Sequence, residues 1–280
     1  MHSQAETTQD ISDKPEVPWQ IEMFRRSLKK QQKLKALLDI LGEVNGKQCL
    51  LVTCGDNNGA LNWQFRSQGG VWTWADVSGE NVDQISDLLG DPVHDPPHDR
   101  LPFPSDIFDV VVSIDVLEHL PHDQAFLLEL TRVMKRDGRA IVTVPNGDPR
   151  LLANRIKWRA GMSPAIYGHV RAGYTLSELE ASLKQAGLKT IDTGGYSRFF
   201  TEMVELVINY GYVKVLSKKR GGTKPGQIAP LSSGELKKHG LAYRLYSLLY
   251  PVSYAVSKLD RILPENTNNA VIIAAVKAGS

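Results

Sequence analysis

From Trp19 to Leu41, apolar side chains recur at near-helical spacing, at Ile21, Phe24, Leu28, Leu34, Leu37, Leu38 and Leu41, among many lysines and arginines. This period predicts a surface helix with one buried stripe, broken by Gly42 and Gly46. Residues 48–54 then read as a short strand, 60–70 as a helix closed by glycines, and 71–76 as a second strand. The unbroken valines of 109–115 fit a strand buried on both faces, as in a parallel sheet. Residues 122–138 follow as an amphipathic helix with glycine at its end, and 139–146 as a strand stopped by proline. Thr175, with Glu178 three residues on, has the form of a capping box opening a helix to Gly187, and 188–195 is a further strand. Strands alternating with helices imply an α/β fold with a doubly wound, mostly parallel sheet.

The alternation stops near Ser197. Residues 200–265 have a helical pattern divided by a glycine-, proline- and lysine-containing loop, before "AVIIAAVKA" supplies one last strand. The expected organisation is a loose tail over 1–18, a Rossmann-like cofactor-binding domain over 19–197, a helical insertion or lid over 198–266, and a final sheet strand over 267–280. Within the insertion, Leu241, Leu245, Leu248, Leu249, Val252, Val256 and Leu259 form one stripe, and Tyr243, Tyr246, Tyr250 and Tyr254 run beside it. Pro251 is expected to kink or restart this helix. Two readings stand: a lid packed on the sheet with its basic loop in water, or a helix that touches an anionic membrane surface through apolar, tyrosine and basic residues.

Composition narrows the classes. A formal net charge of +2 argues against a dedicated nucleic-acid binder, and no nucleic-acid partner is expected. Cys49 and Cys54 flank one strand at odd separation, so they point to opposite faces and a disulfide between them is not expected. The polar first 18 residues lack the apolar core of a secretion signal, and no stretch reaches the roughly 18 apolar residues that span a bilayer. A cytoplasmic protein is expected, in peripheral contact with the inner membrane face if the second reading of the insertion holds.

In a doubly wound sheet, ligands bind outside the carboxyl ends of the strands, near the point where strand order reverses. Gly55 and Gly59, after the first strand, let backbone approach a ligand closely. Asp76 ends the second strand about 20 residues later, where a carboxylate can accept hydrogen bonds from both ribose hydroxyls. Loop and acid together point to a nucleoside ligand.

The segments "LPFPSDIFDVVVSIDVLEHL" and "LTRVMKRDGRAIVTVPN" resemble the core of the class I S-adenosylmethionine-dependent methyltransferases, type 11 group. "GHVRAGYTLSELEASLKQAGLKTID" resembles the same family's H-x-R … EL … L … AGF segment, so the likeness covers about residues 47–195 and the last strand. It implies a seven-stranded sheet with S-adenosylmethionine at its carboxyl edge. Thr53 stands in the place of the family's usual acidic residue and Asn57 in that of its middle glycine; asparagine tolerates positive φ, so the turn can survive. The resemblance further implies Asp76 for the ribose, Asp95 or its neighbours up to Asp99 for the adenine amino group, and Ile114 and Asp115 beside the methionine portion. Trp72 and Trp74 share a strand face and read as core.

Methyl transfer from a sulfonium is an in-line displacement that needs a base only when the acceptor must lose a proton. His119 and His169 are the candidates, each with a plain structural alternative. Asp115, Glu118 and His119 also form a D-x-x-E-H arrangement, similar to the E-x-x-E-H set that binds a divalent cation in ubiquinone-pathway O-methyltransferases and small-RNA 2′-O-methyltransferases. The expected activity is methyl transfer to a small-molecule, lipid-like or lipid-linked glycan acceptor, at oxygen. A non-catalytic scaffold of the same fold and an NAD(P)-dependent oxidoreductase are the alternatives; the second would lack its G-x-G-x-x-G loop.

Overall fold

The computed structural model describes residues 17–54, 58–97, 100–211 and 240–279, with backbone only for 240–246. The sheet has seven strands in the order β3-β2-β1-β4-β5-β7-β6. These are β1 Gln48–Thr53, β2 Val71–Asp76, β3 Val93–His94, β4 Phe108–Ile114, β5 Met134–Pro145, β6 Leu188–Tyr196 and β7 Ala270–Lys277. β7 runs antiparallel to β5 and β6, and the remaining pairs are parallel. Strand order reverses between β1 and β4, so the ligand crevice of such a sheet belongs at their carboxyl ends.

The helices are α1 Trp19–Arg26, α2 Leu28–Leu41, α3 Ala60–Arg66, α4 Val82–Leu89, α5 Asp123–Val133, α6 Leu152–Arg159, α7 Leu176–Gln185, α8 Phe199–Tyr210 and α9 Gly240–Ser257. Period-2 alternation in the strands sends side chains to two cores. Leu50, Val52 and Val111 pack with Leu127 and Leu130 of α5 and Leu179 and Leu183 of α7. Leu51, Val110 and Val112 pack on the other face with Leu37 of α2, Phe65 of α3 and Ile85 of α4. Each fully buried leucine of this kind contributes roughly 1.5–3 kcal/mol. Cys49 and Cys54 fall in opposite cores, and no disulfide joins them. Trp72 and Trp74 stack at 5.6 Å beside the second core, with Trp74 buried in it.

Several local expectations are corrected. The first helix is two, because Ser27 is extended (φ −89°, ψ 97°) and its N–H turns back to Phe24 O. The helix expected to reach Gly138 ends at Val133, and the chain goes straight into β5. Phe108 pairs with Met134 but Val110 with Arg139, so residues 135–138 bulge out of register. Gly138 suits this bulge because a Cβ there would lie 2.6 Å from Met134 Cγ. The short α4, α6 and β3 were not predicted. Helix α9 continues through Pro251, which stands exposed. Its apolar stripe does not pack on the sheet: Leu248, Leu249, Val252 and Leu259 are exposed, whereas Tyr250 Oη accepts a hydrogen bond from Gln31 Nε2 of α2 at 2.9 Å.

One buried carboxylate joins the start of α8 to the turn that follows α9. Asp260 accepts the backbone N–H groups of Phe200 (2.8 Å), Arg198 (3.1 Å) and Thr201 (3.2 Å), capping α8 from 60 residues away. Arg198 returns the contact through its guanidinium to the carbonyls of Asp260 and Leu263. The tail over 1–16 and the basic loop 212–239 lie outside the described residues.

Candidate active site

At the carboxyl edge, Asp76 is fully buried and its carboxylate is held on both sides. Thr53 Oγ1 donates to Oδ2 at 2.7 Å, and Ser78 donates its N–H (3.0 Å) and hydroxyl (2.6 Å) to Oδ1. A second acid in the place of Thr53 would repel Asp76 at this distance; the threonine instead orients it. Asp95 follows β3 and lies over the turn after Asp76, so that a Cβ on Gly79 would sit 2.7 Å from Asp95 Oδ2. Gly59 opens α3 at φ 85°, packed against Ile85 and Leu88 of α4. Gly55 and Asn57 lie outside the described residues.

Ile114 ends β4 and is buried, and Asp115 turns the chain at φ 50° while its N–H donates to Thr143 O on β5. Lys33, reaching from α2, donates to Asp115 Oδ2, while Oδ1 is buried without a hydrogen-bond partner among the described residues. Burial, joined by the nearby Asp115 carboxylate, pushes the Tyr196 hydroxyl up from its ordinary range.

The chain then makes a single 3-10 turn, Leu117–His119, rather than opening a helix directly, and α5 begins at Asp123. Glu118 is fully buried, and its carbonyl accepts the N–H of Val170 at 2.9 Å. This brings in a loop 50 residues away in sequence, and the rings of His119 and His169 meet edge to face at 4.7 Å. Tyr167 lies next to them, 5.7 Å from His169. Arg171 clamps the loop in place, donating to Asp123 Oδ2 (2.7 Å), Tyr174 Oη (2.7 Å) and Leu120 O (2.9 Å). Gly173, at φ 111°, lets the loop cross β5 where a Cβ would meet Pro145 O at 2.0 Å. In the sequence Arg171 stands only as the last residue of the H-x-R motif, and that spacing is the signal for its role.

Glu118, His119 and His169 each present a ligand atom, all within 4.8 Å of one another. Of the D-x-x-E-H set, Asp115 is engaged by Lys33, while His169 stands with Glu118 and His119.

Sequence reasoning missed a charged knot behind this site. Glu202 of α8, 1% exposed, accepts from Lys29 of α2 (2.7 Å), Lys157 of α6 (2.7 Å) and Ser197 (2.5 Å). Burial alone would raise its carboxyl, but the two ammonium groups hold it at about 2. Burial lowers Lys157 in turn, against the pull of Glu202.

The strand order and the acids at the ends of β2, β3 and β4 define a Rossmann-like fold of the class I methyltransferase type. A methyltransferase-domain family model matches residues 50–142, from β1 into β5, so this part of the chain is similar to S-adenosylmethionine-dependent methyltransferases. Solved structures agree in fold. A proposed methyltransferase from Bacillus halodurans C-125 is 13% identical with a TM-score of 0.55, over 88% of this chain and 98% of that one. Geranyl diphosphate C-methyltransferase from Streptomyces coelicolor A3(2), solved with Mg2+, geranyl-S-thiolodiphosphate and S-adenosyl-L-homocysteine, is 14% identical with a TM-score of 0.55, over 89% and 76%. The [4+2]-cyclase SpnF is 18% identical with a TM-score of 0.56, over 90% and 84%. A comparison with curated proteins finds no match.

Proposed function

We propose that the chain methylates an oxygen of a small, lipid-like or lipid-linked glycan acceptor. S-adenosylmethionine supplies a methyl group on a sulfonium sulfur. Asp76 would hold its ribose, Asp95 its adenine and Asp115 its ammonium. The fit rests on an observation at Asp115: a carboxylate with one buried oxygen lacking a partner among the described residues suits a cationic group, and the charge-assisted bond is a strong one.

The observation that carries oxygen as the target is the His119–His169 pair beside the turn that follows β4. A hydroxyl must lose its proton as it accepts a methyl group, and a neutral imidazole is the side chain suited to take it near neutral pH. The edge-to-face contact and the Arg171 clamp fix the pair in orientation, which supports a positioned base over a surface histidine.

A second reading is favoured by the spacing of Glu118, His119 and His169, which would hold a divalent cation. One carboxylate with two imidazoles suits manganese or zinc better than magnesium. Such a cation would lower the pKa of a coordinated hydroxyl. Incubating the enzyme with isotope-labelled S-adenosylmethionine and fractionated cell extracts, with and without chelator, tests both readings. The first expects a labelled O-methyl ether or ester in the lipid or small-molecule fraction and a fall of about 100-fold or more in kcat for His119→Ala. Label on carbon or nitrogen overturns it, and loss of turnover on chelation, restored by manganese or zinc, selects the second.

A further inference from the structure

We propose that the outer face of α9 and the 3-10 turn after it, Lys258–Ile262, docks on an anionic membrane surface. The apolar positions that point outward are Leu248 (75% exposed), Val252 (61%), Leu259 (44%) and Ile262 (77%). Leu248 and Val252, four apart, share one side of α9, and Leu259 and Ile262, three apart, share one side of the 3-10 turn that follows. Leu249 is exposed next to them, and Val207 and Tyr210 of α8, the helix that packs against α9, are exposed too. An amphipathic helix in a soluble core turns such a stripe inward; here the stripe faces water, which marks an interaction surface.

The inward side of the same helix is already used. Tyr250 bonds Gln31 of α2, and Ser257 is buried, its hydroxyl donating to Tyr254 O. The turn is held in place, because Asp260 caps α8 and Arg198 grips the carbonyls of Asp260 and Leu263. Leu259 and Ile262 are therefore presented outward by a fixed element.

Charge selects the occupant. The chain from 212 to 239, which leads into α9, carries seven lysines and arginines against one acid, Glu235. From 240 to 267 the acids are Asp260, buried under α8, and Glu265, 3.8 Å from Arg198, while Lys258 and Arg261 border the stripe. Apolar side chains bordered by Lys258 and Arg261, in a chain whose preceding stretch is cationic in sequence, match the interface of a bilayer rich in acidic lipid. No described helix is long and apolar enough to cross a membrane, so the contact is with the surface.

Co-sedimentation of the full chain with phosphatidylglycerol-containing and pure phosphatidylcholine vesicles tests this. Binding is expected to the anionic vesicles, to weaken with added salt, and to fall roughly tenfold or more in a Leu248→Ser/Val252→Ser/Ile262→Ser variant. These side chains are exposed, so the variant should keep its melting temperature and its binding of S-adenosylhomocysteine. Equal binding of variant and parent overturns the proposal, as does failure to bind anionic vesicles. A concentration-dependent dimer lost in the variant would instead assign the face to a second copy. Slow maleimide labelling of Leu248→Cys and Ile262→Cys in water would show that the chain's own 212–239 segment covers it. Either of these outcomes also overturns the membrane assignment.

Discussion

Asp115 concentrates the most chemistry in the fewest atoms. One oxygen meets the Lys33 ammonium, the other is buried without a partner among the described residues, and the backbone is held in the left-handed region by the bond to Thr143. Asparagine also tolerates that backbone, so Asp115→Asn removes the charge while keeping the turn. Calorimetry should show S-adenosylhomocysteine binding weakened by roughly 10-fold or more, the loss of one charge-assisted hydrogen bond. Unchanged affinity would place the cofactor's ammonium elsewhere. Asp76 differs, because Thr53 and Ser78 already fix it. The sequence showed Thr53 as a departure from the family pattern; that its hydroxyl holds the neighbouring strand's acid depends on the register Thr53 with Asp76, which periodicity does not set.

Helices α2, α6 and α8 meet at Glu202, and their arrangement depends on a buried charge. Glu202→Gln leaves Lys29 and Lys157 without their counter-ion and is expected to cost about 3–5 kcal/mol in a denaturant titration. Adding Lys29→Met and Lys157→Met should recover much of that loss. The pH dependence has a definite sign. The carboxyl titrates at about 2 in the folded chain against an ordinary 4.5, so its contribution is complete above 4.5 and is lost as pH falls toward 2. Stability of the parent should drop through that window, and Glu202→Gln should flatten the drop; parallel acid curves would refute the assignment. Elements with a strong local signal were legible: the Thr175–Glu178 capping box forms as read, with Thr175 N–H donating to Glu178 Oε2 at 2.7 Å. The Glu202 knot was not, because it joins side chains from residues 29, 157 and 202 that no local period relates. For the same reason both histidines were named, but their contact was not.

Across the whole molecule, the crevice at the strand reversal is bounded by elements from both halves of the chain. Thr53, Asp76, Asp95 and Asp115 come from the first half, and Tyr196, which ends β6, comes from the second and feels the Asp115 charge. Lys33 ties α2 across the same opening. A nucleoside bound there stabilises only the assembled fold, so its binding free energy adds to the stability of the sheet. At a ligand concentration about 100-fold above Kd this addition is about 2.7 kcal/mol. For a chain of this length it corresponds to a rise in Tm of roughly 5 °C. Differential scanning fluorimetry should show that rise with S-adenosylhomocysteine, none with NAD, and a much smaller one in Asp76→Ala at equal ligand. The nicotinamide control separates the methyltransferase crevice from the other Rossmann-like reading of the same loop and acid. A rise with NAD alone would reverse the cofactor assignment. No rise with either ligand, in a chain that unfolds cooperatively, would leave a fold that kept its sheet and lost its nucleoside.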